Sequence, residues 1–172
     1  SELQGAPGGG GVFPVVARMA GRDFARFHID VGFGDAEMGE AEELIGDDLL
    51  HFIGVPPTRV LAIPKAQQFA EQLNAYTFPW SDRENTRSRD LVDLVLLIER
   101  GGLKLAAVRQ ALRHTFEHRA RHELPEQLPP PPDAWAKEFP AMAAETGISP
   151  TTVADAFAVL ASFWEELSVA DS

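Results

Sequence analysis

The sequence predicts an α+β fold: a small antiparallel or mixed β-sheet followed by a bundle of about five helices. Strand-like alternation is confined to the residues before Pro64. After Pro64 apolar residues recur at helical spacing. The two patterns run in blocks and do not alternate, which argues against a βαβ chain. The change of pattern divides the chain into 1–63 and 64–172.

Residues 5–11, rich in glycine, are expected to be a flexible lead-in. No Gly-Lys-Ser/Thr follows them, so they are not a phosphate-cradling loop. Val12 to Ala20 is apolar and β-prone, and Gly21-Arg22-Asp23 signals a turn. A hairpin of about 12–20 with 24–32 follows from this pattern. Alternation puts Phe27, Ile29 and Val31 on one face and His28 and Asp30 on the other. An acidic loop is expected next, then a short segment near Leu49 to Ile53, then a strand over Arg59 to Ile63.

The helical half begins with Phe69, Ala70 and Leu73 on one stripe of a helix over Ala66 to Ala75. Asn85 to Arg100 is the next helix, stopped by Gly101-Gly102. Leu105, Val108, Leu112 and Phe116 mark a third. Four prolines at 129–132 form a stiff connector. A helix over about Asp133 to Glu145 follows, and Ser149-Pro150 is expected to cap a last one. Val153, Phe157, Leu160, Trp164 and Leu167 form the stripe of that helix.

Composition narrows the function. The chain has 172 residues and a net charge of −11. That charge argues against an overall basic nucleic-acid binder. The charge is uneven, however. Asp35 to Asp48 holds seven acids and no base, whereas Arg83 to His122 holds nine bases and five acids. One basic face, or simply two solvated faces of opposite sign, would produce this pattern. There is no cysteine, which excludes disulfides, thiolate metal sites and a cysteine nucleophile, and accords with a cytoplasmic address. No apolar run approaches the ~18 residues of a membrane span, so no membrane partner is expected.

Three groups of residues could carry chemistry. Asp30, in Phe27-His28-Ile29-Asp30-Val31-Gly32-Phe33-Gly34-Asp35, is an acid centred in an apolar strand. It faces either water or a polar site, because burying a lone carboxylate is costly. Gly32 and Gly34 suggest a turn or the close approach of a ligand. Asp90 and Asp93 are spaced to share one side of a helix. Helix-start electrostatics, an ion network with Arg87 and Arg89, and an active-site role are all open to them. His114, His118 and His122 are spaced by four, but Pro125 and the interleaved Arg113, Arg119 and Arg121 oppose a metal site. No Gly-x-Ser-x-Gly, Walker or His-Glu-x-x-His motif is present.

Three stretches, in this order, carry a resemblance: Phe27 to Asp35, Gln68-Phe69-Ala70-Glu71-Gln72-Leu73-Asn74-Ala75, and Arg87-Ser88-Arg89-Asp90-Leu91-Val92-Asp93. Over roughly residues 12–122 the chain resembles the C-terminal two-thirds of the AbiEii/AbiGii-type nucleotidyltransferase toxins, of the DNA polymerase β-like superfamily. On that resemblance 1–63 is the end of a nucleotidyltransferase β core and 64–172 a helical domain. The implied activity is Mg²⁺-dependent transfer of an NMP from an NTP to an acceptor such as a tRNA end. A cognate antitoxin would restrain it, in the setting of abortive infection and phage defence. Asp30 would be a metal ligand, and Asp90 and Asp93 catalytic acids. Arg87, Arg89 and Gln72 would meet the nucleotide and its phosphates.

Two departures bear on activity. The superfamily's opening turn followed by Asp-x-Asp is absent from the sequence, so the chain alone is expected to be inactive, as a fragment or a reduced protein. Gln72 stands where the family has a lysine, and a neutral amide offers no charge to a triphosphate. The alternative is a degenerate member that binds nucleotide, RNA or an antitoxin without catalysis. A third possibility is a scaffold whose acidic loop 35–48 meets a basic partner.

Overall fold

A computed structural model describes residues 9–32, 41–80 and 85–169. It is α+β, and the described residues form two two-stranded antiparallel sheets and five α-helices. The chain forms two compact units, 1–37 and 38–172.

The first unit is the expected hairpin, β1 (Gly10–Met19) with β2 (Arg22–Gly32). Its turn is the two-residue Ala20-Gly21, with φ of 50° and 76°. Positive φ at both positions gives a turn whose twist matches the flanking strands. Gly10 and Gly11, expected in the lead-in, already belong to β1. Phe13 opposes Ile29 and Val15 opposes Phe27, so the apolar face is the one the alternation indicates. That face is open: Phe13, Phe27 and Ile29 are each about half exposed. Asp30 opposes Val12 and His28 opposes Pro14 on the other face. Gly34 and Asp35, named with Asp30 in the sequence, lie outside the described residues.

The acidic stretch is not loop throughout, because Glu42–Ile45 forms β3 and pairs with β4 (Arg59–Ala62). An Arg59–Glu43 ion pair of 3.0 Å joins the two strands. The segment near Leu49 is a single 3₁₀ turn, His51–Ile53. Leu44, Ile45, Val60 and Leu61 are all exposed, on both faces of this small sheet.

The helices bury the core. They are α1 (Lys65–Tyr76), α2 (Ser88–Arg100), α3 (Leu105–Arg119), α4 (Phe139–Thr146) and α5 (Val153–Val169). Phe69 and Leu73 of α1, Leu91, Leu94 and Val95 of α2, and Val108 of α3 are fully buried. Phe69 stacks edge-on against Phe163 of α5 at 5.3 Å. The α5 stripe is centred on Ala156, Leu160 and Leu167, with Val153, Phe157 and Trp164 at its margins. Trp135 is buried, and its indole N–H donates to the Asn85 carbonyl at 2.7 Å. Among the described residues no helix is long and apolar enough to cross a membrane.

Three element ends differ from expectation. α2 starts at Ser88 because Asn85 Oδ1 accepts the Arg87 N–H at 3.0 Å and turns the chain there. The stretch from Asp133 is a 3₁₀ turn, Asp133–Lys137, before α4. The cap of α5 is Thr152, whose hydroxyl accepts the Asp155 N–H at 3.2 Å. Ser149 lies four residues before the start of α5 and is not at the cap position; its backbone N–H donates to the Glu99 carboxylate.

Candidate functional site

α1 and α2 pack side by side and leave a half-open cleft of about 330 Å³ between them. Its lining comes from one face of each helix. Gln68, Glu71 and Gln72 stand at i, i+3 and i+4 on α1. Asp93, Leu96 and Leu97 stand at i, i+3 and i+4 on α2, and Ile63 completes the lining. This spacing puts each set of three on one side of its helix.

Gln72 and Asp93 meet there. The Gln72 side-chain amide donates to Asp93 Oδ2 at 3.4 Å. Gln68 donates to the Ile63 carbonyl at 2.8 Å, fixing the entry of α1. Glu71 pairs with Arg119 of α3, both side chains being largely buried. Burial raises the Asp93 carboxyl above its ordinary range, and the neighbouring Asp90 charge raises it further against the pull of Arg89.

Asp90 is engaged elsewhere. Arg87 Nε and Nη2 donate to its two oxygens at 2.5 and 3.1 Å, a bidentate pair on the first turn of α2. The Asp90 side chain is buried, and burial raises its carboxyl although the Arg87 hydrogen bond and charge pull it down. Its position near the helix start also suits the macrodipole. The ion network read from the sequence therefore exists, but Arg87 serves Asp90 and not Asp93. Arg89 points outward and meets Glu145 at 3.7 Å, both of them exposed.

The three histidines do not share a helix face. His114 and His118 stack on α3 with ring centroids 6.2 Å apart. α3 ends at Arg119 and Ala120 turns left-handed, so His122 leaves the helix. Its Nε2 lies 2.8 Å from the Thr77 hydroxyl. That hydroxyl donates to the Leu73 carbonyl, so the imidazole is the donor between them.

A Mg²⁺ ion needs carboxylate oxygens free to coordinate it. Asp90 is bound by Arg87 and Glu71 by Arg119, while Asp93 accepts from the Gln72 amide. Among the described residues no group of three or more His, Cys, Asp or Glu stands close enough to hold a metal. These residues do not by themselves fit such a site. The arrangement is instead suited to receive hydrogen-bond donors against a carboxylate and an amide, beside an aliphatic wall.

The sequence singled out Asp93 and Gln72 but not Glu71 or Gln68. The signal for both was the shared i, i+3, i+4 face of α1.

Fold and cleft together define an α+β protein with a polar cleft on its helical part. The family model for the nucleotidyl transferase AbiEii toxin of type IV toxin–antitoxin systems matches residues 2–161. The chain belongs to that family. The match extends beyond the stretch that the three motifs span. No curated protein gives a significant match.

Proposed function

We propose that the protein is a nucleotidyltransferase-type toxin that moves an NMP from an NTP to an acceptor such as a tRNA end. The observation that carries this reading is the α1–α2 cleft, which brings Gln72 and Asp93 together within a chain of the AbiEii family. Asp93 and Asp90 are its candidate catalytic acids. Arg89, exposed and only loosely paired, is the better placed of the two arginines for a phosphate. Mg²⁺ belongs to the proposal with Asp30 as its candidate ligand. The proposed partner is an antitoxin, as the family's type IV system suggests.

For these 172 residues alone we expect NTP binding without turnover. The test is equilibrium binding of α-labelled NTPs, followed by incubation with Mg²⁺ and tRNA. Saturable binding that Asp93→Asn weakens, with no label reaching the RNA, is the expected result. Label transferred to tRNA would overturn the expected inactivity, and the absence of NTP binding would overturn the reading.

A second reading is a degenerate member that binds nucleotide, RNA or an antitoxin and never catalyses. The Gln72 amide, bonded to Asp93 where the resemblance expects a lysine, favours it. Transfer activity in any antitoxin-free or partner-complemented preparation would exclude it.

A further inference from the structure

We propose that the outer edge of β3 and the apolar surface of its sheet take up a strand from a protein partner, one in which basic and apolar residues alternate. The nucleotide cleft plays no part in this proposal.

Apolar exposure is concentrated here. Of the seventeen large apolar side chains exposed among the described residues, nine lie between Leu44 and Leu61. The stretch after Pro64 contributes Leu124 alone. Phe52, Leu61 and Leu49 are 81%, 76% and 73% exposed. Scattered exposed apolar residues are ordinary, whereas a cluster of them marks a contact surface.

The sheet is also incomplete. β3 and β4 pair with each other and, among the described residues, with no third strand. Two strands alone are marginal in water, and a third strand over an apolar face supplies what they lack. The two edges are not equivalent. β4 runs between Pro57 and Pro64, and proline blunts an edge. β3 holds neither proline nor lysine, so its edge is the receptive one.

Charge selects the occupant. Glu42, Glu43, Asp47 and Asp48 stand on β3 or just after it. Arg59 is the one Lys or Arg from 41 to 61, and it already pairs with Glu43. A surface of this sign repels nucleic acid and anionic lipid. A second copy docked through the same face would bring the same four acids together. A strand bearing Lys or Arg is attracted instead. Its alternation also has a counterpart. Glu43 and Ile45 stand on one face of β3, and Glu42 and Leu44 on the other, where Val60 opposes Leu44. Cations of an added strand then lie beside Glu43, and its apolar residues beside Leu44 and Val60. Main-chain bonds to β3 supply the affinity and the alternation supplies the selectivity.

The test follows amide shifts of the ¹⁵N-labelled full chain with three end-blocked hexapeptides. They are Lys-Val-Lys-Val-Lys-Val, its counterpart with Glu for Lys, and the lysine peptide with every backbone nitrogen methylated. The lysine peptide should give saturating shifts over Glu42 to Ile45 and bind about tenfold more tightly than the glutamate peptide. Added salt should weaken it. Methylation removes the main-chain donors and should abolish binding. Asp47→Lys combined with Asp48→Lys should reverse the preference between the two peptides, and both side chains are exposed, so the fold is spared. Leu44→Thr keeps a strand-forming residue and should weaken the lysine peptide severalfold, which gives a second check.

Equal binding of the lysine and glutamate peptides, binding that survives methylation, or no shift over β3 would overturn the proposal. So would a dimer in sedimentation equilibrium that Leu44→Thr dissociates, which would assign the face to a second copy. Binding to phosphatidylserine vesicles through the same amides would assign it to a membrane and overturn the proposal as well.

Discussion

Replacing Arg87 by Ala removes the partner of a buried acid. Asp90 is 6% exposed and accepts two hydrogen bonds from the Arg87 guanidinium. Breaking a buried pair by deleting one member costs about 3–5 kcal/mol when the remaining charge is stranded. Two features reduce that figure here. The Arg87 side chain is 45% exposed, so water already screens part of the attraction. Asp90, pushed upward by burial, can also take a proton in place of remaining charged. A loss of about 2–3 kcal/mol at pH 7 follows, worth a fall of about 4–12 °C in Tm for a chain of this size. The sign with pH is definite. Without Arg87 the folded-state carboxyl rises further, and a carboxyl raised on folding destabilises as pH climbs through its folded value. The loss should therefore be larger at pH 7 than at pH 4. Urea unfolding followed by tryptophan fluorescence measures it, because Trp135 is buried and bonded to Asn85, two residues from Arg87. A loss below about 0.5 kcal/mol, the range of an ordinary surface change, would refute this reasoning. An equal loss at both pH values would refute it too.

Other consequences are simpler to measure. Burial, then the Arg121 charge, lowers the His122 pKa from 6.5, and its buried Nδ1 has no hydrogen-bond partner among the described residues. Neutral His122 thus contributes stability that is present above pH 6.5 and declines as pH falls through its folded value, so His122→Asn should flatten the acid limb of a Tm-versus-pH curve. Thr152→Ala removes the α5 cap and should cost about 1 kcal/mol in urea unfolding, whereas Ser149→Ala should cost less. Ala120 is left-handed with a φ of 43° at the end of α3, so Ala120→Gly should stabilise the chain by about 0.5–1 kcal/mol. Asp93→Asn removes a carboxyl raised by burial and by Asp90, and thermal melts should show a higher Tm at pH 7 with little change at pH 3.

Legibility in the sequence follows the range of the interaction. α1, α2 and α3 were readable because each carries an apolar stripe at helical period, and the hairpin because alternation assigns both of its faces. β3 was not, since Glu42 and Glu43 hid Leu44 and Ile45 inside an acidic run, and only the β4 partner makes that stretch a strand. The sequence indicates Ser149-Pro150 as the cap of α5, whereas the structure uses Thr152. The start of α5 at Val153 decides it, and Ser149 instead meets Glu99, fifty residues away in sequence, through its backbone N–H. Asp90 and Asp93 stood out as acids in an apolar helix, but their periodicity could not divide their roles. Arg87 reaches one, and Gln72 of a neighbouring helix reaches the other. The cleft itself required knowing that α1 lies beside α2, which no local pattern states.

The most direct measurement of the central claim is an NMR titration of the ¹⁵N-labelled chain with Mg²⁺ and each NTP. We expect saturating shifts at Gln68, Glu71 and Gln72 and over Asp93 to Leu97, all abolished by Asp93→Asn. Shifts confined to the separate pocket of Arg113, Phe116, His122 and Leu124, or no shifts with any NTP, would contradict a nucleotide site between α1 and α2.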